Sequence, residues 1–298
     1  MPRPVALSCA AAILLAAACA GEPLSRGWTL AKYAAQYDEL GSAKVINGAA
    51  VESPGRAPFM AQLSITSSAF PLGSAVCGGT LIAPSAVLTA AHCLCAENKG
   101  TTPLPNLKVK VLLGSLVFGG GTAFSAEYVA VHPAYAYDGN MPVNDLALVL
   151  LSSNVSSSVA TPVPLDAYNT ASSANFSAAL VMGWGLTAPG GTLPVAQLQY
   201  AGVSRVPDAK CTLFAREEGA KNDTEAALRV CANGATKGAN GLQADTCTGD
   251  SGGPLLLQTP GPASNWYKDP ADASAVYGLG CCPGTAEPYT GPQIGITR

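Results

Sequence analysis

The chain has 298 residues, of which 48% are hydrophobic and only 12% charged, with a formal net charge of −3. High apolar content with low net charge excludes an intrinsically disordered chain, and the lack of a basic excess argues against nucleic acid or an anionic membrane surface as the main partner. The 32 glycines and 23 prolines call for frequent turns, which suits a β-rich protein better than a helical bundle.

Residues 1–20 have the form of a secretory signal peptide. Arg3 supplies the positive start, Val5 to Ala18 the apolar run, and Ala18-Cys19-Ala20 the small residues before a cut ahead of Gly21. The run is shorter than the ~20 apolar residues of a membrane span. Ala16 stands where a lipid anchor at Cys19 would ask for a large aliphatic residue. The expectation is a secreted, extracellular protein. Residues 21–44 are mixed in polarity and have no strong period.

From Val45 the texture changes to short apolar runs: Phe59–Ile65, Thr80–Ala91, Leu107–Leu113, Leu146–Leu151, Ala178–Met182 and Pro254–Leu257. Gly, Pro, Ser and Asn separate them, and β-branched and aromatic residues occur within them. This spacing favours a barrel or sandwich over alternating βαβ units. Gln258–Ser274, rich in Pro, Ala and Asp, reads as a surface loop.

Of ten cysteines, Cys9 and Cys19 leave with the signal peptide, and the remaining even number in an exported chain reads as disulfides. A zinc site at Cys93-Leu94-Cys95 fails on spacing, because no CxxC pair accompanies it and the chain has only two histidines. Asn154, Asn175 and Asn222 each begin an N-x-S/T sequon, the acceptor for N-glycosylation.

Chemistry concentrates in three segments. Gly249-Asp250-Ser251-Gly252-Gly253-Pro254 sets a serine among residues without Cβ atoms, a chain that can turn tightly and aim N–H groups at a substrate oxygen. A serine hydroxyl needs a base to become nucleophilic. His132 precedes a proline and reads as a loop residue. His92, in Thr89-Ala90-Ala91-His92-Cys93, follows an apolar run and is pinned by a cysteine. Asn144-Asp145-Leu146-Ala147-Leu148 then places a carboxylate at the head of a buried strand, where it must be hydrogen-bonded or paired.

These segments, in the order His92, Asp145, Ser251, resemble the trypsin/chymotrypsin family. The resemblance runs from Val45 to about Leu257 and includes Gly183-Trp184-Gly185, similar to the family's mid-chain turn. It implies an all-β fold of two packed six-stranded antiparallel barrels over 45–298, here without the family's terminal helix. It implies a Ser251 nucleophile, a His92 base, an Asp145 orienter, and an oxyanion hole from the N–H groups of Gly249 and Ser251. Lys44-Val45-Ile46-Asn47-Gly48 resembles the family's activation junction. That makes 21–44 a propeptide and pairs the new Val45 ammonium with Asp250. The implied disulfides are Cys77–Cys93, Cys211–Cys231, and Cys247 with Cys281 or Cys282, the other of these two being available to Cys95.

Asp245, six before Ser251, falls where trypsin-like members carry the floor of the primary pocket, which implies preference for Lys or Arg. After Val276 the sequence departs from the pattern, and the pocket-wall glycines have no unambiguous counterpart. The implied partners are polypeptide substrates, an activating protease and protein inhibitors, acting on a monomer without a cofactor. The competing expectation is a catalytically silent homologue that binds proteins or inhibits other enzymes.

Overall fold

The computed structural model describes residues 48–70, 73–96, 100–137, 142–163, 165, 178–186, 194–217, 220–226, 230–234, 246, 249–257, 274–278 and 293–295. The signal peptide, the propeptide with Lys44, and Val45 lie outside the described residues, as do Asp245, Cys247, Cys281, Cys282, Asn175 and nearly all of Gln258–Ser274.

The first half is a closed antiparallel barrel. Its strands are β2 (Met60–Thr66), β3 (Ala75–Ala83), β4 (Ala86–Thr89), β5 (Lys108–Leu113), β6 (Thr122–Val131) and β7 (Ala147–Leu151), joined in the order β2-β3-β4-β7-β6-β5 and back to β2. The closing pair runs from Ala61↔Leu113 to Thr66↔Lys108. Strand β5 shows why the sequence curls this way: in Lys108-Val109-Lys110-Val111 the lysines are exposed and the valines buried, a period of two that gives the sheet one wet and one dry face. Leu63, Ile65, Val87, Val111 and Val149 are sealed inside. Burial of each such side chain stabilises the fold by about 1.5–3 kcal/mol relative to exposure.

The second half is built on β8 (Ala178–Gly183), β9 (Gln199–Arg205), β10 (Val230–Gly234), β11 (Pro254–Leu257), β12 (Ser274–Gly278) and β13 (Gln293–Gly295), in the order β12-β11-β8-β9-β10-β13. A two-residue strand, β1 (Ala49–Ala50), pairs with the start of β9. The six-strand path stays open among the described residues, so a closed barrel is seen in the first half only. Ala179, Val181, Ala201, Val203, Ala232 and Leu255 form its core. The helix α1 (Asp208–Glu217) is stapled to β10 by the Cys211–Cys231 disulfide, and a short α2 (Asp223–Ala226) follows.

The halves share a core and a seam. Leu180, Met182, Trp184, Leu198 and Leu256 pack into the same cluster as the first barrel's side chains. The carbonyl of Leu116 accepts both the Trp184 indole N–H at 2.8 Å and the Leu198 N–H at 2.7 Å. A buried indole nitrogen needs an acceptor, and this one fixes the two halves against each other. No helix among the described residues is long and apolar enough to cross a membrane.

Candidate active site

His92 stands on a 3-10 turn, Ala91–Cys93, at the end of β4. The turn is held from behind by the Cys77–Cys93 disulfide, which ties it to β3. Asp145 is presented by a different device. Asn144 takes a left-handed φ of 52°, a conformation in which Asn is over-represented, and its Nδ2 donates to the Ala134 carbonyl at 2.9 Å. The Leu146 N–H closes the turn on the Asn144 carbonyl at 2.8 Å, so Asp145 projects inward just before β7.

The two residues meet twice. The His92 backbone N–H donates to Asp145 Oδ1 at 2.8 Å, and the ring Nδ1 lies 2.7 Å from Oδ2. With a carboxylate on Nδ1, the proton rests on that nitrogen and Nε2 is left as the basic site. The Asp145 side chain is 1% exposed while the His92 side chain is 20% exposed, so a dry carboxylate orients a ring whose far edge reaches the surface. Low local dielectric strengthens such a contact. His132 lies elsewhere: its Nδ1 accepts the Ala134 N–H at 3.2 Å within a turn, as expected of a loop residue.

Ser251 is buried and reaches the first barrel through its backbone. Its carbonyl accepts the Gly78 N–H at 2.7 Å. Cys93 Sγ lies 3.9 Å from that carbonyl and 3.9 Å from His92 Nε2, so one sulfur touches both the serine segment and the ring. Next in the chain, Gly252 has φ +83°, and a Cβ there would run into Thr89 Oγ1 and stand 2.5 Å from the Gly78 carbonyl oxygen. Only glycine lets the serine turn approach β3 and β4 this closely. Thr89 Oγ1 in turn donates to the Gly78 carbonyl at 2.9 Å. Gly249, with φ +97°, supplies the other bend of the turn.

Asp250 is completely buried, and its Oδ1 accepts the Gly185 N–H at 2.7 Å. Both glycines of Gly183-Trp184-Gly185 face it: a Cβ on Gly183 would overlap Oδ1, and one on Gly185 would lie 2.6 Å from Oδ2. From sequence this tripeptide reads as a turn; the structure shows that its glycines make the socket for the Asp250 carboxylate. The available signal was the pair of glycines flanking Trp184, one at the end of β8 and one just beyond it.

The disulfides Cys77–Cys93 and Cys211–Cys231 are formed as the resemblance implies. Cys77 and Cys93 are bonded to each other and so offer no thiolates to a metal beside His92. Cys95, whose partner the cysteine count leaves open, takes no disulfide with another described residue. It is a free thiol buried in the core cluster that holds the first barrel's side chains. Its burial, and secondarily the negative charge of Asp145, push it up to about 12.

The trypsin family profile matches residues 46–269, and the chain belongs to the trypsin family. It is 34% identical over 185 residues to trypsin alpha of Drosophila erecta, a match covering 62% of this chain and 64% of that protein. It is 35% identical over 185 residues to trypsin alpha-4 of Lucilia cuprina and 32% over 185 residues to trypsin alpha of Drosophila melanogaster, with the same coverages. The chain thus spans just under two thirds of the length of these relatives.

Proposed function

We propose that the chain is a secreted serine endopeptidase, and that His92, Asp145 and Ser251 are its triad. The observation that carries this reading is the double hydrogen bond of Asp145 to His92, made beside the segment that presents Ser251. Ser251 Oγ attacks the peptide carbonyl carbon while His92 Nε2 takes its proton. Asp145 holds the Nδ1–H and stabilises the imidazolium. The tetrahedral oxyanion is met by the N–H groups of Gly249 and Ser251. Collapse returns the proton from Nε2 to the leaving amine and leaves an acyl ester on Ser251. Water, deprotonated by the same Nε2, then releases the acid and restores the hydroxyl.

Activity follows cleavage after Lys44. The register Ala49↔Tyr200 and Ala50↔Gln199 seats β1 beside β9, and β9 lies beside β8, whose Gly183 faces Asp250. At about 4.8 Å between neighbouring strands the crossing is about 10 Å. The four residue steps from Val45 to Ala49 extend to about 13 Å, enough to bring the Val45 ammonium to the buried carboxylate. Asp245 is the basis for preferring Lys or Arg before the scissile bond, and relatives named trypsin support that choice. The signal-peptide form of 1–20 and the two disulfides support export to an oxidising compartment.

The test is to treat the purified proenzyme with trypsin, remove the trypsin, and offer a fluorophosphonate probe together with Arg-, Phe- and Ala-terminated chromogenic peptides. Labelling of Ser251 with turnover of the Arg substrate is expected. Labelling of another serine, or none after a confirmed Lys44–Val45 cut, overturns the reading in favour of a silent homologue.

A further inference from the structure

Thr89 is the last residue of β4 and is completely buried. A buried hydroxyl needs a partner, and its Oγ1 donates to the Gly78 carbonyl at 2.9 Å. Gly78 spends its other backbone group on the nucleophile's residue, because its N–H donates to the Ser251 carbonyl at 2.7 Å. Oγ1 also faces Gly252: a Cβ there would run into it and would lie 3.1 Å from the Ala90 nitrogen. The serine turn closes on itself where the Gly253 N–H meets the Asp250 carbonyl at 3.0 Å, and Gly253 leaves a Cβ at Gly78 only 3.0 Å. Glycine backbone at 78, 252 and 253 permits this close approach, but glycine is conformationally loose and does little to fix a distance. Thr89 Oγ1, hydrogen-bonded to one side of the contact and packed on the other, gives it a spacing. Only Ala90 and Ala91 separate Thr89 from His92, so the same side chain refers that spacing to the ring.

We propose that Thr89 is a positioning residue for Ser251: its hydroxyl sets how closely the serine turn rests on the first barrel, and so where Ser251 Oγ stands relative to His92. This rests on the triad reading above. Thr89 touches neither substrate nor the transferred proton, and its effect on rate runs through Gly78 and Gly252.

The test is a series at this position in the processed enzyme. Thr89→Ser keeps the hydroxyl, Thr89→Ala removes it, and Thr89→Val puts a methyl group in its place. For the Ala and Val variants, kcat on the best-cleaved chromogenic peptide and the rate of fluorophosphonate labelling of Ser251 are expected to fall together by about ten- to hundredfold, the scale of a misplacement of about 1 Å, with KM unchanged. Thr89→Ser is expected to stay close to wild type in both. Val87→Ala is the control, because Val87 is sealed in the barrel on the same face of β4. It is expected to lower the melting temperature and keep kcat. If Thr89→Val does not accumulate, Thr89→Ala decides. Wild-type kcat in Thr89→Ala, or a loss of kcat in Val87→Ala that matches it at an equal melting loss, overturns the role of Thr89 alone. A wild-type enzyme whose probe lands on another serine overturns the triad reading, and the Thr89 role with it.

Discussion

The carboxylate of Asp250 occupies the space that a side chain at Gly183 would fill, and Gly185 donates its N–H to the same group. Asp250, next to Ser251, is thereby locked against the end of β8 in the second half. Gly183→Ala must push the carboxylate aside, and a destabilisation of about 1–3 kcal/mol is expected for such overpacking. Gly202, in β9, has open space where its Cβ would go and is the control. Gly202→Ala should stay within about 0.5 kcal/mol of wild type in urea unfolding. Equal losses for the two variants would show that the socket is not rigid.

Asp145 fixes both the position of His92 and the nitrogen that carries its proton. Asp145→Asn preserves the shape but presents an amide N–H or oxygen in place of the carboxylate. After activation, kcat is expected to fall by about 10⁴ with little change in KM, following the template for such triads. Single-substrate kinetics at neutral pH measure this directly. A loss below tenfold would mean that the contact is structural.

Much of this site was legible beforehand because catalysis fixes residue types at short range. A glycine-flanked serine, a histidine beside a cysteine and an aspartate heading an apolar strand are local patterns. The alternation Lys108-Val109-Lys110-Val111 likewise declares one wet face and one dry face. What stayed hidden depends on distant chain segments meeting. Nothing near Gly183 announces Asp250, and nothing near Gln199 reveals that one of its oxygens is buried without a donor. The cysteine count left the partner of Cys95 open because counting ignores depth, and the structure buries it as a free thiol.

The Cys95 thiol gives a pH signature. Its ionisation is raised from 9.0 to about 12 in the folded protein, so the unfolded chain loses the proton first. The stability this contributes is intact below pH 9 and is lost as pH climbs toward 12. Cys95→Ala is expected to flatten the fall of unfolding free energy over that window, as read by urea titrations at stepped pH. In the native protein at pH 8, iodoacetamide should leave Cys95 unmodified, as mass spectrometry of a digest would record. Rapid labelling there contradicts the burial.

Asp245 is expected to set the choice of residue before the scissile bond. A charge-assisted hydrogen bond in a desolvated pocket contributes about 1.5–3 kcal/mol, which converts to roughly a ten- to hundredfold preference. Asp245→Ser should erase that preference for Arg over Ala substrates in kcat/KM while leaving fluorophosphonate labelling of Ser251 in place. Unchanged selectivity would move the determinant elsewhere.

The first barrel is assembled from one uninterrupted stretch of chain, Met60 to Leu151, whereas Ser251 belongs to a turn that precedes β11 in the second half. During synthesis His92 and Asp145 are therefore both translated, within or beside the first barrel, before Ser251. Ser251 joins His92 and Asp145 only when the late strands dock and Gly78 captures the Ser251 carbonyl. A chain that ends before Gly249 therefore keeps the paired His92 and Asp145 without Ser251.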